Sequence, residues 1–194
     1  RPMAGRGRES GMPDEPIWSG FFSPEQTLVR LGLTGSCGDV VDFGCGYGTF
    51  TIPAARMVRG AVRALDIEPV MIEATTRKAE REGLNNVRVD LRDFVADGAG
   101  LPPDSVDYVM LFNILHCEQP DGLLREAYRI LSQGGRLGIM HWNYDPATPR
   151  GPSMDIRPRP EQCRNWAQDA GFRIQVFNKI DLPPYHYGWA MEKP

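Results

Sequence analysis

The stretch Val40-Val41-Asp42-Phe43-Gly44-Cys45-Gly46-Tyr47-Gly48 decides the fold of this chain. Three of its first four residues are apolar, which is typical of a short strand buried in a parallel sheet. The three glycines that follow permit positive φ angles and bring no Cβ atom between the backbone and a ligand. A helical pattern begins directly after them, and the free N–H groups at its start favour an anionic group. The stretch therefore predicts a strand, a ligand-binding turn and a helix; a tight turn without a ligand is the alternative.

Short apolar runs alternate with helical patterns along the rest of the chain. Strands are predicted over Gly38–Phe43, Ala61–Asp66, Asn86–Leu91, Ser105–Phe112, Arg136–His141, Arg173–Ile180 and His186–Glu192. Strands that alternate with helices require right-handed crossovers and a mainly parallel sheet. The short connection before the last run favours an antiparallel pair at the sheet edge. We therefore predict an α/β, Rossmann-like, doubly wound fold, in which a seven-stranded, mostly parallel sheet with an antiparallel edge strand forms a three-layer α/β/α arrangement.

Length and composition limit the class of protein. A chain of 194 residues fits one domain, and a net charge of −3 gives no support for a nucleic-acid-binding surface. The four cysteines have no CxxC pair and no zinc-ligand spacing. We therefore expect no metal, reduced thiols and a cytoplasmic location. No apolar run approaches the roughly 18 residues of a transmembrane helix.

The first residues differ from the rest of the chain in composition. They are rich in glycine, arginine and proline and show no periodicity. We expect residues 1–16 to be a disordered leader and residues 17–194 to be a single domain. We also expect a monomer or homodimer that acts on a small-molecule partner, without nucleic acid.

The spacing of the glycines bears on the cofactor. A dinucleotide-binding G-x-G-x-x-G pattern would need glycine at position 49, where this chain has Thr49, and its third glycine is instead Gly48. Asp66 ends the second predicted strand, where a carboxylate can accept hydrogen bonds from both hydroxyls of a ribose. A cap on the helix that begins at Pro69 is the alternative role for Asp66.

Five stretches, in order, resemble the motifs of the class I S-adenosylmethionine-dependent methyltransferases. They are the glycine stretch at 41–48 (motif I), Leu65-Asp66-Ile67 (the ribose-binding motif), Asp93-Phe94 (the adenine position), 105–116 (the fourth-strand motif) and 125–137 (the helix and Gly-Gly stretch before strand five). The likeness extends from about Trp18 to the C-terminus. It is closest to the small-molecule branch, methyltransferase type 11, which includes ubiquinone- and menaquinone-biosynthesis-like enzymes.

The resemblance implies S-adenosyl-L-methionine as cofactor and S-adenosyl-L-homocysteine as product. It implies that Asp42 orders the glycine loop, that Asp66 binds the ribose, that Asp93 binds the adenine amino group, and that Asn113 faces the methionine part. The full set of implied cofactor-binding residues is Asp42, Gly44, Gly46, Tyr47, Asp66, Ile67, Asp93, Phe94 and Asn113. Residues 17–194 would then form one methyltransferase domain.

Methyl transfer from a sulfonium depends mainly on holding the nucleophile in line with the methyl group. A general base is needed only where the acceptor carries its proton at neutral pH. His116, after the fourth predicted strand, and His141, at the end of the fifth, are the candidate bases; ordinary loop or packing roles are the alternatives.

Four residues outside the motifs are candidates for contact with the acceptor, namely Trp18, Phe22, Trp142 and Arg157. The aromatic side chains would cover the pocket, with anchoring of the first helix as the alternative. The guanidinium would bind a carboxylate or phosphate, with a solvated loop as the alternative.

The sequence thus predicts an S-adenosylmethionine-dependent methyltransferase that acts on a small-molecule acceptor by in-line displacement. Three alternatives remain at this point: an NAD(P)-dependent oxidoreductase, a module that binds S-adenosylmethionine without turnover, and a methyltransferase that acts on protein or RNA. The acceptor atom is left open.

Overall fold

A computed structural model describes residues 12–194, which are built around one mixed β-sheet. Within these residues the eight strands are β1 (Val40–Phe43), β2 (Val62–Asp66), β3 (Val87–Leu91), β4 (Val106–Phe112), β5 (Leu131–Trp142), β6 (Arg173–Ile174), β7 (Ile180–Leu182) and β8 (His186–Glu192). Their order across the sheet is β3-β2-β1-β4-β5-β8-β6, and β7 also pairs with β8.

The sheet is parallel from β3 to β5 and antiparallel beyond it. The pairs β2–β3, β1–β2, β1–β4 and β4–β5 are parallel. Strand β8 runs antiparallel to β5, with His141 opposite Tyr187 and Trp142 opposite His186. The predicted mostly parallel sheet with an antiparallel edge is therefore confirmed.

Helices cover both faces of the sheet. Over the described residues they are α1 (Glu15–Ser19), α2 (Pro24–Arg30), α3 (Thr51–Met57), α4 (Pro69–Arg81), α5 (Phe94–Asp97), α6 (Pro120–Ile130) and α7 (Pro160–Ala170). One apolar core joins Phe43 and Leu111 to α6 and α7, and the other joins Val40 and Tyr108 to α2 and α3. All four residues of β1 are buried, because this central strand is covered on both sides. The three-layer arrangement is confirmed.

The single strand predicted over 173–180 is wrong. Two short strands, β6 and β7, take its place, so the sheet has eight strands in the described residues instead of seven. Between them Val176 and Phe177 are exposed, Phe177 at 88%. This connecting segment leaves the sheet because no apolar core holds its side chains against β8.

The fifth strand begins earlier than the sequence indicates, at Leu131 instead of Arg136. Its pairing with β4 shifts register between Val106 and Tyr108. Gly134, with a φ of 80°, lies in the stretch that does not pair with β4, and its amide donates instead to the carbonyl oxygen of Lys193 at 2.7 Å. The Gly-Gly pair therefore forms an irregularity inside the strand, and α6 already ends at Ile130.

The chain reverses its direction of winding between β1 and β4. From β1 it proceeds to β2 and β3 on one side, and it then returns to add β4 and β5 on the other side. Helix α3, after β1, and α6, after β4, contribute to opposite cores. The connections after β1 and β4 therefore diverge and leave a crevice at the carboxyl ends of these strands, where ligands bind in open α/β sheets.

Most of the expected leader, residues 1–11, lies outside the described residues. Residues 12–16 are described, and α1 begins at Glu15. Over the described chain, no helix is both long enough and apolar enough to cross a membrane.

Candidate active site

The glycine loop after β1 is fixed to the end of β2 by its own backbone. The amides of Gly44 and Cys45 both donate to the carbonyl oxygen of Leu65, at 2.8 and 2.9 Å. The φ angles of Gly44, Gly46 and Gly48 are 79°, 54° and 78°, in the left-handed region that side chains disfavour. The loop therefore requires glycine at these three positions and presents bare backbone to the crevice.

Asp66 joins this loop to the next one. Its Oδ2 accepts the amide of Gly46 at 2.9 Å, and its Oδ1 accepts the amide of Glu68 at 3.0 Å. The residue is only 6% exposed, and burial raises the pKa of its carboxyl. Both oxygens keep a further lone pair, so the carboxylate can still accept hydrogen bonds from a ligand. Ile67, the next residue, lines the same cavity.

Asp42 acts on the loop through the helix that follows. It is buried, and it accepts the hydroxyl of Thr51, the first residue of α3, at 2.7 Å. Burial raises the pKa of this carboxyl to about 6, and the hydrogen bond from Thr51 opposes that shift. Asp42 thus ties β1 to α3 on either side of the glycine loop.

The residues expected at the adenine end lie together after β3. Asp93 caps α5, accepting the amide of Ala96 through Oδ1 at 3.1 Å. Phe94 is buried with its ring edge-on to Phe43, 5.2 Å between centroids. Both line the cavity, and the capping bond fixes the Asp93 carboxyl at its edge.

Asn113 lies at the mouth of β4 with a φ of 54°, in the left-handed region. Its amide donates to the carbonyl oxygen of Met140 at 2.8 Å, and its Nδ2 lies 3.4 Å from Nε2 of His186. Its Oδ1 is buried without a hydrogen-bond partner in the described part of the protein. This side chain also lines the cavity.

The resemblance implies that Tyr47 binds the cofactor, but its side chain makes a different contact in the structure. Its side chain is not among the cavity-lining residues, because its hydroxyl donates to the carbonyl oxygen of Pro13 at 2.7 Å. Lys78 strengthens the attachment by donating to the carbonyl oxygen of Tyr47 at 2.9 Å and pairing with Glu15. Tyr47 therefore holds the N-terminal segment over the loop.

Both histidines proposed from the sequence lie beside the crevice, and they contact each other. His116 lines the cavity, whereas His141 is completely buried behind it. Nδ1 of His116 lies 3.1 Å from Nε2 of His141. Burial, and next the positive potential of His116, lower the pKa of His141 well below its ordinary value.

Aromatic side chains form the wall beside the ends of β4 and β5. Trp18 and Trp142 line the cavity with their rings 6.4 Å apart. Phe22, expected in the acceptor pocket, lies behind this wall, where it packs on Trp18, Phe50 and His186 at centroid distances of 4.9, 5.2 and 4.7 Å. Its contacts are those of a supporting residue.

Arg157 does not line the cavity. Its guanidinium donates to the carbonyl oxygens of Asn143, Asp145 and Pro152 and to the hydroxyl of Thr148. These bonds use its donors to hold the loop 142–157 together, which corrects the expected contact with an anionic acceptor. Arg150, on the same loop, lines the cavity and is exposed.

The sequence missed several residues of the cavity, whose volume is about 260 Å³. Met12 and Pro13 belong to the expected leader, and in the sequence Thr49 stands out only because it replaces the third glycine of a dinucleotide-binding pattern. The sequence signal for Thr49 is its place directly after the glycine loop; its buried hydroxyl has no partner in the described residues. Met12 has no comparable signal. No His, Cys, Asp and Glu cluster suited to a metal ion occurs between residues 12 and 194.

Several known proteins similar to this chain are methyltransferases by name. A family model described as a methyltransferase domain matches residues 40–135, which include the glycine loop, Asp66, Asp93 and Asn113. Aklanonic acid methyltransferase DauC of Streptomyces sp. (strain C5) is 35% identical over 175 residues, which cover 84% of this chain and 79% of that protein.

A second relative and a solved structure are also named as methyltransferases. The ubiquinone biosynthesis O-methyltransferase of Xanthomonas euvesicatoria pv. vesicatoria (strain 85-10) is 31% identical over 151 residues, 75% of this chain, and the chain spans 59% of that protein. The crystal structure of a SAM dependent methyltransferase from Aquifex aeolicus matches with a TM-score of 0.81 and 25% identity, covering 93% of this chain and 95% of that one. These likenesses favour methyl transfer over the oxidoreductase and over the module without turnover.

Proposed function

The chain belongs to the class I S-adenosylmethionine-dependent methyltransferases that act on small molecules, and we propose that its acceptor is an aromatic molecule with an acid group. One observation carries the proposal: a single cavity is lined both by the glycine loop with Asp66 and by Trp18, Trp142 and Arg150. We assign the first group, which suits an adenosyl cofactor, to the cofactor end, and the second, which suits an aromatic anion, to the acceptor end.

We propose that the residues after β1, β2 and β3 hold the cofactor. They fit S-adenosylmethionine because Gly44 and Gly46 place no Cβ atom between the backbone and a ligand, and because the buried Oδ1 of Asn113 is an acceptor suited to an ammonium group. Asp66 would accept the ribose hydroxyls, and Asp93 the adenine amino group. When bound, this cofactor supplies a methyl group on a positively charged sulfur.

The apolar sides of the adenine would meet Ile67 and Phe94, which line the cavity beside these carboxyls. Tyr47 and Asp42 contribute indirectly. Tyr47 holds the N-terminal segment that carries Met12 and Trp18 across the cavity, and Asp42 fixes the first turn of α3.

The acceptor end is distinguished by flat apolar surface and one cation. Aromatic walls pack well against aromatic ligands, edge-on or offset. Arg150 lines this end, and a guanidinium binds carboxylate oxygens in a bidentate manner. The relative DauC is named for aklanonic acid, an acid by its name, which supports the same class of acceptor here.

One part of the protein's role is to orient the acceptor and to exclude water. Trp18 and Trp142 would hold the acceptor ring in the plane that points its nucleophile at the methyl group, while Arg150 sets its direction. Such alignment can supply about 7–11 kcal/mol of the barrier reduction. The N-terminal segment, held by Tyr47 and Lys78, would close the cavity against solvent.

Matched acceptor pairs test the proposal. Polycyclic aromatic hydroxy acids and their carboxamides would be offered with labelled S-adenosylmethionine, and methylated product measured by mass spectrometry. We expect the acids to have kcat/KM at least about tenfold above the amides, since a charged hydrogen bond contributes about 1.5–3 kcal/mol. Arg150→Met would remove this preference by raising KM for the acids.

Arg77→Met, an exposed arginine on α4, is the matched control and should keep the preference. Equal rates on acids and amides by the unmodified protein would exclude the acid group. Transfer only to acceptors without an aromatic ring would exclude the aromatic class.

We also propose that residues 17–194 form one domain that works in the cytoplasm as a monomer or homodimer, without nucleic acid. The four cysteines are free thiols, and three of them are buried, which suits a reducing compartment. Light scattering of the purified protein measures the assembly state.

A further inference from the structure

The contact between the two histidines joins the ends of neighbouring strands. His116 follows β4 and lines the cavity, while His141 is the penultimate residue of β5 and has no exposed surface. Their rings lie edge-on at 80° with centroids 5.3 Å apart, so that Nδ1 of His116 meets Nε2 of His141 at 3.1 Å. The contact leaves Nε2 of His116 on the opposite side of its ring from His141.

Burial disfavours a positive charge on the inner member of this pair, His141. Burial lowers the pKa of His141, with His116, His186 and Arg157 adding to the effect. A neutral imidazole carries one N–H, so Nε2 of His141 either donates to His116 or accepts from it. Nδ1 of His141 is buried and has no hydrogen-bond partner of good geometry within the described chain, and the backbone of Trp142 acts to raise the pKa of His141.

We propose that His116 is the general base of methyl transfer and that His141 is a positioning residue, whose Nε2 accepts the Nδ1–H of His116. This inference rests on the proposed function and specifies the acceptor further. The acceptor nucleophile is a hydroxyl that keeps its proton at neutral pH, a phenol or enol, because an ionised group would need no base. The acid group beside Arg150 then orients the acceptor and does not react.

The acceptor hydroxyl gives its proton to Nε2 of His116, and its oxygen forms the new bond to the methyl carbon. The sulfur–methyl bond breaks with its electron pair left on sulfur, so the positive charge of the sulfonium ends as an imidazolium. Protonated His116 has N–H on both nitrogens, and the imidazolium is stabilised because Nε2 of His141 accepts one of them.

The groups around the two histidines favour His116 over His141 as the proton acceptor. His186 and Arg157 oppose a positive charge on His141. Tyr187, opposite His141 on β8, donates its hydroxyl to the carbonyl oxygen of Pro158 at 3.0 Å. The other charged groups at the cavity are Asp42, Asp66, Arg92, Asp93 and Arg150. Glu118 lies two residues beyond His116.

Imidazole NMR tests the arrangement without turnover. The chain has three histidines, His116, His141 and His186, so long-range 1H–15N spectra of tag-free protein contain three ring systems. Spectra are recorded for the free protein and for its complex with S-adenosylhomocysteine. In both, we expect a neutral His141 with its proton on Nδ1, and His116 with its proton also on Nδ1. A charged His141 between pH 6 and 8, or His116 bearing its proton on Nε2, would overturn the proposal.

Two aromatic hydroxy acids test the base in turnover, one with an ordinary phenol and one with a nitrophenol that is already ionised at the assay pH. His116→Ala should lower kcat about 100-fold on the phenol, the lower end of the usual contribution of a general base. It should change kcat less than about threefold on the nitrophenol, and it should remove the acid limb of the pH–rate profile.

The positioning role of His141 predicts a different pattern of rates. His141→Ala should lower kcat about tenfold on the phenol only, and His141→Gln, whose amide oxygen can accept at the place of Nε2, should restore most of the loss. Equal effects of His116→Ala on both acceptors, or a methyl ester as product, would overturn the inference. Absence of methyl transfer to any acceptor by the unmodified protein would instead overturn the proposed function, and the NMR result would still decide the tautomers.

Discussion

Asp66 accepts the amide of Gly46 at 2.9 Å, so the carboxylate at the end of β2 holds the middle of the glycine loop after β1. One side chain thus shapes the loop and faces the cavity that the loop borders. Any change at Asp66 acts on both functions, which makes it the first residue to test.

Asp66→Ala removes the acceptor of two backbone amides, those of Gly46 and Glu68. We expect the affinity for S-adenosylhomocysteine to fall at least about tenfold, since a hydrogen bond to a charged group contributes about 1.5–3 kcal/mol. Asp66→Asn keeps one acceptor and should lose less. Calorimetric titration measures both, and Asp90→Ala, an exposed carboxylate on β3, is the control. Unchanged affinity in Asp66→Ala would remove the carboxylate from the site.

Gly48→Ala tests the shape of the glycine loop. A Cβ at this position would lie 3.1 Å from the side chain of Thr75, whose hydroxyl donates to the carbonyl oxygen of Gly46 at 2.8 Å. Gly134→Ala is a close match, because its φ of 80° resembles the 78° of Gly48, and nothing lies within 4 Å of its added Cβ.

Both alanine variants should lose about 1–3 kcal/mol of unfolding free energy from backbone strain. Only Gly48→Ala should also weaken binding of S-adenosylhomocysteine. Chemical denaturation and calorimetry separate the two effects, and equal affinity of the two variants would contradict the assigned role of the loop.

His186 should make the protein less stable in acid. Burial, and next the charge of Arg157, lower the pKa of His186 to about 3 in the folded state, against roughly 6.5 for an unfolded histidine. As the pH falls from 6.5 towards 3, the unfolded chain binds a proton that the folded protein does not. Titration of His186 therefore leaves the free energy of unfolding unchanged above pH 6.5. Below pH 6.5 it lowers that free energy by about 1.4 kcal/mol per pH unit.

His186→Phe removes this loss and can retain ring contacts with Phe22 and Trp142. Relative to the unmodified protein, the variant should gain about 2–3 kcal/mol of unfolding free energy between pH 7 and pH 4.5. Urea denaturation at both pH values measures the gain. A difference between the two proteins that is independent of pH would show that His186 titrates normally in the fold.

The fold could be predicted from sequence because its signals are local. The apolar run at 40–43, the glycines after it and Pro69 at the first turn of α4 each act within a few residues. Asp66 was predictable for the same reason, since the carboxyl ends of adjacent parallel strands meet at one edge of the sheet. The prediction of one strand over 173–180 failed because apolar residues such as Phe177 can also lie in an exposed connection.

The acceptor end was less predictable because it depends on distant parts of the chain. His116 and His141 were separate candidates, and their contact exists only because β4 and β5 are neighbours with a particular register. Arg150 and Arg157 have the same side chain on one loop, and only the folded loop decides that Arg157 donates inward while Arg150 lines the cavity.

Calorimetry of the unmodified protein with S-adenosylhomocysteine, and separately with NADH, tests the central claim most directly. We expect S-adenosylhomocysteine to bind one site per chain and NADH to give no binding heat. A folded protein that binds NADH, or that binds neither S-adenosylhomocysteine nor S-adenosylmethionine, would contradict the assignment of this cavity to an adenosyl methyl donor.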